Sequence, residues 1–159
     1  MRELSLHILD LIENSIRADA SIISVTVSER PEEDVLEILV EDNGYGFTVE
    51  PDQAMNPFYT TKNGKRTGLG LSLFRAAAEL AGGSLAIERS ALGGVAVHAK
   101  MRLNNIDRKP LGDLAATLSS VVCTNPHLDL WCKLTTPEGE CLVRVSDVAK
   151  ELRANERCG

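Results

Sequence analysis

Leu4, Ile8, Leu11, Ile12 and Ile16 recur at three- and four-residue spacing, whereas Ile23, Val25 and Val27, then Leu36, Ile38 and Val40, recur at spacing two. A chain that changes apolar period in this way forms a helix followed by strands, and each must bury its apolar side against the other. The spacing predicts a helix over residues 3–17 and strands over 21–28 and 35–42. Arg30-Pro31-Glu32-Glu33-Asp34 supplies the turn between the strands. A helix ahead of a hairpin opens an α+β layer rather than an all-helical or all-β fold. On the helix, Glu3, His7, Asp10, Asn14 and Arg17 fall at intervals of four, three, four and three, which predicts one polar line opposite the apolar stripe.

Residues 43–67 combine glycine and proline with Asn, Thr and Lys and show no sustained period, so they read as a long loop. Loops of that length in a small domain commonly carry function. From Gly68 the helical period returns, with Leu71, Phe74, Ala77, Ala78 and Ala81 on one face and Gly82-Gly83 as the stop. Residues 84–89 and 95–103 read as strands around Ala91-Leu92-Gly93-Gly94. Val95, Val97, Ala99 and Met101 are expected to point inward, and His98, Lys100 and Arg102 outward. A polar linker then leads to a helix carrying Leu111, Leu114, Ala115, Leu118, Val121 and Val122. A hairpin follows around Thr136-Pro137-Glu138-Gly139, and Ser146 is placed as the cap of a last short helix. The division expected is residues 1–103 as one domain and 104–159 as a small C-terminal α-β-β-α extension, too short for a core of its own.

With 159 residues, 43% of them hydrophobic, the chain can bury a core, built from aliphatic residues and alanine because only 4% are aromatic. The net charge of −6 speaks against a general nucleic-acid or anionic-membrane binder. Against that acidic background, residues 53–78 hold no Asp or Glu but do hold Lys62, Lys65, Arg66 and Arg75, a window suited to an anion. Glu3 and Asp10 interrupt the apolar start, so neither a signal peptide nor a membrane span is expected there, and the cytoplasm is the expected location. Cys123, Cys132, Cys141 and Cys158 lack the C-x-x-C spacing of a zinc or redox site and are expected to be inert thiols. His98 and His127 are expected to be ordinary surface residues.

Three local patterns carry chemistry. Asp42-Asn43-Gly44-Tyr45-Gly46 sets a carboxylate at a strand end, before glycines that let a flat ligand come close, and a carboxylate accepts from an exocyclic amine such as that of adenine. Gly68-Leu69-Gly70-Leu71 opens a helix, whose free N–H groups and positive dipole end suit phosphates. Asn14 offers an amide oxygen to the hard cation that phosphates bring.

In this order the patterns resemble the histidine-kinase-type ATP-binding domain, the GHKL or Bergerat fold. The motifs that carry the resemblance are Asp10-Leu11-Ile12-Glu13-Asn14-Ser15-Ile16-Arg17-Ala18, Asp42-x-Gly44-x-Gly46, Pro57-Phe58-Tyr59-Thr60-Thr61-Lys62 and Gly68-Leu69-Gly70-Leu71. It spans about residues 1–103 and implies a two-layer α/β sandwich, a mixed sheet with helices on one face. It implies ATP and Mg²⁺ as cofactors, with Asn14 on the metal, Asp42 on the adenine amine, and Gly44 and Gly46 shaping the base pocket. Thr61, Lys62, Lys65, Gly68, Leu69, Gly70 and Leu71 would meet the nucleotide. Asp10 stands where the hydrolases of the fold carry their acidic residue, and Arg17 matches the base that the kinases aim at phosphates, so these two are the candidate catalytic residues.

The chain also departs from that pattern. No histidine here is followed by an acidic residue, so none has the phosphoacceptor context of sensor kinases, and no dimerisation helix is expected ahead of this domain. Val95 stands where the family carries a threonine after the glycines, which removes a hydroxyl from the base pocket. The resemblance therefore implies a stand-alone phosphotransferase that uses a protein partner supplied in trans, with a homodimer one option for its own assembly. A nucleotide-dependent binding module with little turnover and a slow clamp-type ATPase remain the alternatives.

Overall fold

The computed structural model describes residues 3–45, 69–104 and 112–148. Helix α1 runs Leu4–Arg17, strands β1 and β2 run Ile22–Arg30 and Val35–Asp42, and helix α2 runs Leu69–Leu80. Strands β3 and β4 run Ser84–Arg89 and Val95–Arg102, helix α3 runs Leu114–Thr124, and strands β5 and β6 run Asp129–Thr136 and Gly139–Arg144. β1 is longer than its alternation indicates, because the Pro31–Glu33 turn is a single 3-10 turn ending on Asp34 at φ 54° and Arg30 pairs directly with Val35.

The six strands form one mixed sheet in the order β3-β4-β2-β1-β5-β6, in which β1 and β5 are parallel and every other pair is antiparallel. Strand residues alternate between faces, so Ile23, Val25 and Val27 of β1 and Leu36, Ile38 and Val40 of β2 share one face with Val97, Ala99 and Met101 of β4. That face packs with Leu4, Ile8, Leu11 and Ile12 of α1, Leu71, Phe74, Ala78 and Ala81 of α2, and Leu118, Val121 and Val122 of α3 in one apolar cluster. The other face carries Ser24, Thr26, Glu37, His98 and Lys100, all at least partly exposed. This is the expected α+β sandwich with helices on one side. Alanines bring α2 close to the sheet, and Gly82, at φ 80°, ends the helix in the left-handed conformation that a side chain resists.

Two local expectations are corrected. His7 does not lie on a solvated polar line: it is 2% exposed, with its ring stacked on Phe74 at 5.1 Å between centroids, because α2 covers that side of α1. Ser146 does not cap a helix from outside. It lies inside the helical turn 145–148, where its hydroxyl donates to the Leu128 carbonyl at 2.9 Å and accepts the Leu130 N–H at 3.0 Å. The C-terminal hairpin packs on the first part of the chain, since β5 pairs along β1 from Ile22 with Asp129 to Ser28 with Thr135 and so continues the same sheet. Of the cysteines, Cys132 is buried and Cys123 and Cys141 are exposed thiols. Burial, with Cys141 nearby, pushes the Cys132 thiol up. Among the described residues no helix is long and apolar enough to cross a membrane.

Candidate functional site

Asp42 continues the row Leu36, Ile38, Val40 on β2, so the strand's own alternation turns its carboxylate toward the helices, where it is 4% exposed. A buried carboxylate must be given donors. One oxygen accepts the N–H of Gly44 at 2.9 Å and of Val95 at 3.1 Å, and the other accepts the Ser15 hydroxyl at 2.6 Å. The Ser15 oxygen also lies 3.1 Å from the Leu11 carbonyl, but its single proton serves the charged, closer acceptor. The Asp42 carbonyl accepts the Gly94 N–H at 3.0 Å. Strand β2, helix α1 and the β3–β4 turn therefore meet on one side chain.

The segment after β2 is tied to the end of α1. The Asn43 side-chain oxygen accepts the N–H groups of Ser21 and Ile22 at 2.8 and 2.9 Å, and the Tyr45 N–H donates to the Ala18 carbonyl at 3.0 Å. A Cβ on Gly44 would stand 2.7 Å from that same Ala18 oxygen, so the approach of chain to helix depends on a glycine there. Above Asp42 opens a small cavity of about 50 Å³, with apolar walls from Leu11, Val40, Leu71, Val95 and Val97 and with Asn14, Ser15 and Asp42 as its polar groups. Apolar walls around a few fixed polar groups suit a flat heterocycle that donates one hydrogen bond.

Next to the cavity, Asn14 is half-buried and its side-chain oxygen accepts the Arg17 guanidinium at 2.8 Å. Arg17 is exposed and lies 3.8 Å from the Glu13 carboxylate. The first turn of α2 passes beside Asp10, since a Cβ on Gly70 would stand 3.2 Å from the Asp10 Cβ. The structure thus brings Asp10, Asn14, Asp42, Gly44, Gly70 and Leu71 together, with Arg17 at the rim. Leu69 begins α2. Gly46, Thr61, Lys62, Lys65 and Gly68 lie outside the described residues. The residues do fit a purine nucleotide: a donor-held carboxylate on the cavity floor, an amide oxygen and a guanidinium at its rim, and glycines where the chains come closest.

Sequence reasoning missed two members of the site. Ser15 stood within the Asp10–Ala18 motif with no role assigned, although a hydroxyl on the core-facing side of an amphipathic helix needs a buried partner. Gly94 read as turn punctuation. Removing a hydroxyl that donates to a buried carboxylate generally costs about 1.5–3 kcal/mol. Ser15→Ala is therefore expected to lower unfolding stability by about that amount in urea titrations. An unchanged midpoint would show that the hydroxyl does not serve Asp42.

Residues 2–105 match the family of histidine kinase-, DNA gyrase B- and HSP90-like ATPases, and the chain belongs to that family of ATP-binding domains. It is 34% identical over 105 residues to the histidine protein kinase DivJ of Caulobacter vibrioides, which covers 63% of this chain; the chain spans 18% of that relative's length. Among solved structures it is similar to the ATP-binding domain of PrrB from Mycobacterium tuberculosis, at 24% identity and a TM-score of 0.44, over 62% of this chain and 66% of that one. The catalytic domain of histidine kinase ThkA matches at 24% identity and a TM-score of 0.48, over 61% and 65%. The N-terminal domain of a DNA repair protein covers 90% of this chain and 52% of its own at a TM-score of 0.53 and 15% identity, a likeness of fold that reaches into the C-terminal strands.

Proposed function

We propose that this chain is a Mg-ATP-dependent phosphotransferase that acts on a residue, His or Ser, of a separate protein. The observation that carries the reading is the Arg17–Asn14 pair: a permanent cation is held 2.8 Å from the amide oxygen that suits the metal. ATP would supply the activated phosphoryl group. Asp42 would accept from the adenine amine while Ser15, Gly44 and Val95 hold it in place. Asn14 would offer its remaining lone pair to Mg²⁺, and Arg17 would steady phosphate charge. Thr61, Lys62, Lys65 and Gly68 would add phosphate contacts by the motif they form, while Gly46 would belong to the base pocket.

Asp10 supports transfer over hydrolysis. It is one methylene shorter than glutamate, and a misplacement of about 1 Å can cost a hundredfold in rate. ATPase turnover is accordingly expected well below about 1 s⁻¹, the low end of usual enzyme rates. Asp10→Asn should change turnover little, and Asn14→Ala should abolish binding of the Mg complex. The test is incubation with γ-labelled ATP, first alone and then with proteins captured on the immobilised chain. No label is expected on the chain itself, and label is expected on a captured protein. Brisk turnover that collapses in Asp10→Asn and returns in Asp10→Glu would instead establish a clamp-type ATPase.

A further inference from the structure

β6 closes one side of the sheet, and among the described residues no strand pairs with its outer edge. It is also the most exposed strand: Gly139, Glu140, Cys141, Leu142 and Arg144 are all exposed, and Leu142 keeps 63% of its surface. Edge strands are usually blunted by a bulge, a proline or inward-pointing charges. β6 has none of these. Its ladder to β5 runs residue for residue from Trp131 with Arg144 to Thr136 with Gly139, and its six residues hold one acid and one base.

We propose that β6 pairs antiparallel with β6 of a second copy of this chain, about a two-fold axis through Leu142, so that two six-stranded sheets become one. The occupant follows from charge. Antiparallel pairing centred on Leu142 sets Glu140 opposite the partner's Arg144, Cys141 opposite the partner's Val143 and Leu142 opposite the partner's Leu142. A parallel copy sets Glu140 against the partner's Glu140, and a slip of one residue sets it against the partner's Val143. Only the symmetric register matches charge with charge.

Within the chain the same sheet face already carries Lys133 at 3.8 Å from Glu140 and Asp129 at 2.7 Å from Arg144. Pairing continues this into a row of Lys133, Glu140, the partner's Arg144 and the partner's Asp129, alternating in sign and repeated by the two-fold. Every second residue of β6 turns its N–H and C=O outward, and an antiparallel copy satisfies them. The contact is the same patch on both subunits, so assembly closes at two. This surface lies away from Asp42 and does not depend on the nucleotide reading.

Sedimentation of the full chain at about 100 µM in reductant is expected to show a dimer. Leu142→Lys brings like charges together at the axis and should raise the dimer dissociation constant at least about tenfold. Glu140→Arg and Arg144→Glu should each be monomeric, yet an equimolar mixture of the two should recover the dimer, because each offers the other the opposite charge in both rows. Circular dichroism checks that each variant is folded. A monomeric wild type, a dimer that persists in Leu142→Lys, or a mixture of folded charge variants that stays monomeric would overturn the proposal.

Discussion

Asp42→Asn is expected to leave the fold intact and to raise the dissociation constant for ATP about a hundredfold. The amide has the shape of the carboxylate. Its oxygen can stay on the Gly44 and Val95 N–H groups, and its NH₂ can turn to the Ser15 oxygen, which then accepts where it had donated. Nothing buried is left without a partner, so folding changes little. Toward the cavity the exchange is unfavourable, because an N–H donor now faces the position from which the adenine amine would donate. Loss of a hydrogen bond to a charged group together with a misplaced donor amounts to about 2–3 kcal/mol. Selectivity for ATP over GTP should fall with it. Calorimetric titration with both nucleotides measures this. Equal ATP affinity in wild type and variant would remove Asp42 from base recognition.

Gly94→Ala is expected to destabilise the whole domain, lowering the melting temperature by roughly 10 °C. A Cβ there would clash with the Asp42 carboxylate and stand 2.6 Å from its carbonyl oxygen and 2.7 Å from the Gly44 nitrogen. Two of these neighbours are backbone and cannot rotate aside. The β3–β4 turn must withdraw from the end of β2, and withdrawal breaks the Gly94 N–H bond to the Asp42 carbonyl and the Val95 N–H bond to its side chain. Two lost hydrogen bonds on buried groups, one of them charged, cost about 3 kcal/mol. Nucleotide affinity should fall too, because Asp42 loses one of its positioning donors. Differential scanning calorimetry against wild type gives the shift. A change within about 2 °C, the effect expected of an ordinary surface substitution, would mean that the turn does not press on Asp42 in solution.

Local pattern determined much of this protein. The period of Leu4, Ile8, Leu11 and Ile12 names a helix and its buried side, and the alternation up to Val40 carries on to Asp42, so the direction of that carboxylate is already legible on β2. Spacing also brings Asp10, Asn14 and Arg17 to one side of α1, and Gly70 to the first turn of α2. The same rule fails at His7, which shares the spacing but is buried because Phe74, 67 positions away, stacks on its ring. Periodicity records only neighbours within a turn or a pleat. Which outside element covers a given side depends on how the layers pack.

Tertiary structure alone decided the donors of Asp42, which come from Ser15, 27 positions before it, and Val95, 53 positions after it. It also decided that β5 lies parallel to β1. A parallel neighbour needs a long crossover, here the stretch that includes α3, and no turn signal marks where such a strand lands. Its place is set by apolar burial, as Leu130 and Cys132 come level with Ile23 and Val25 under the helices, a match between residues more than a hundred positions apart that no local pattern encodes.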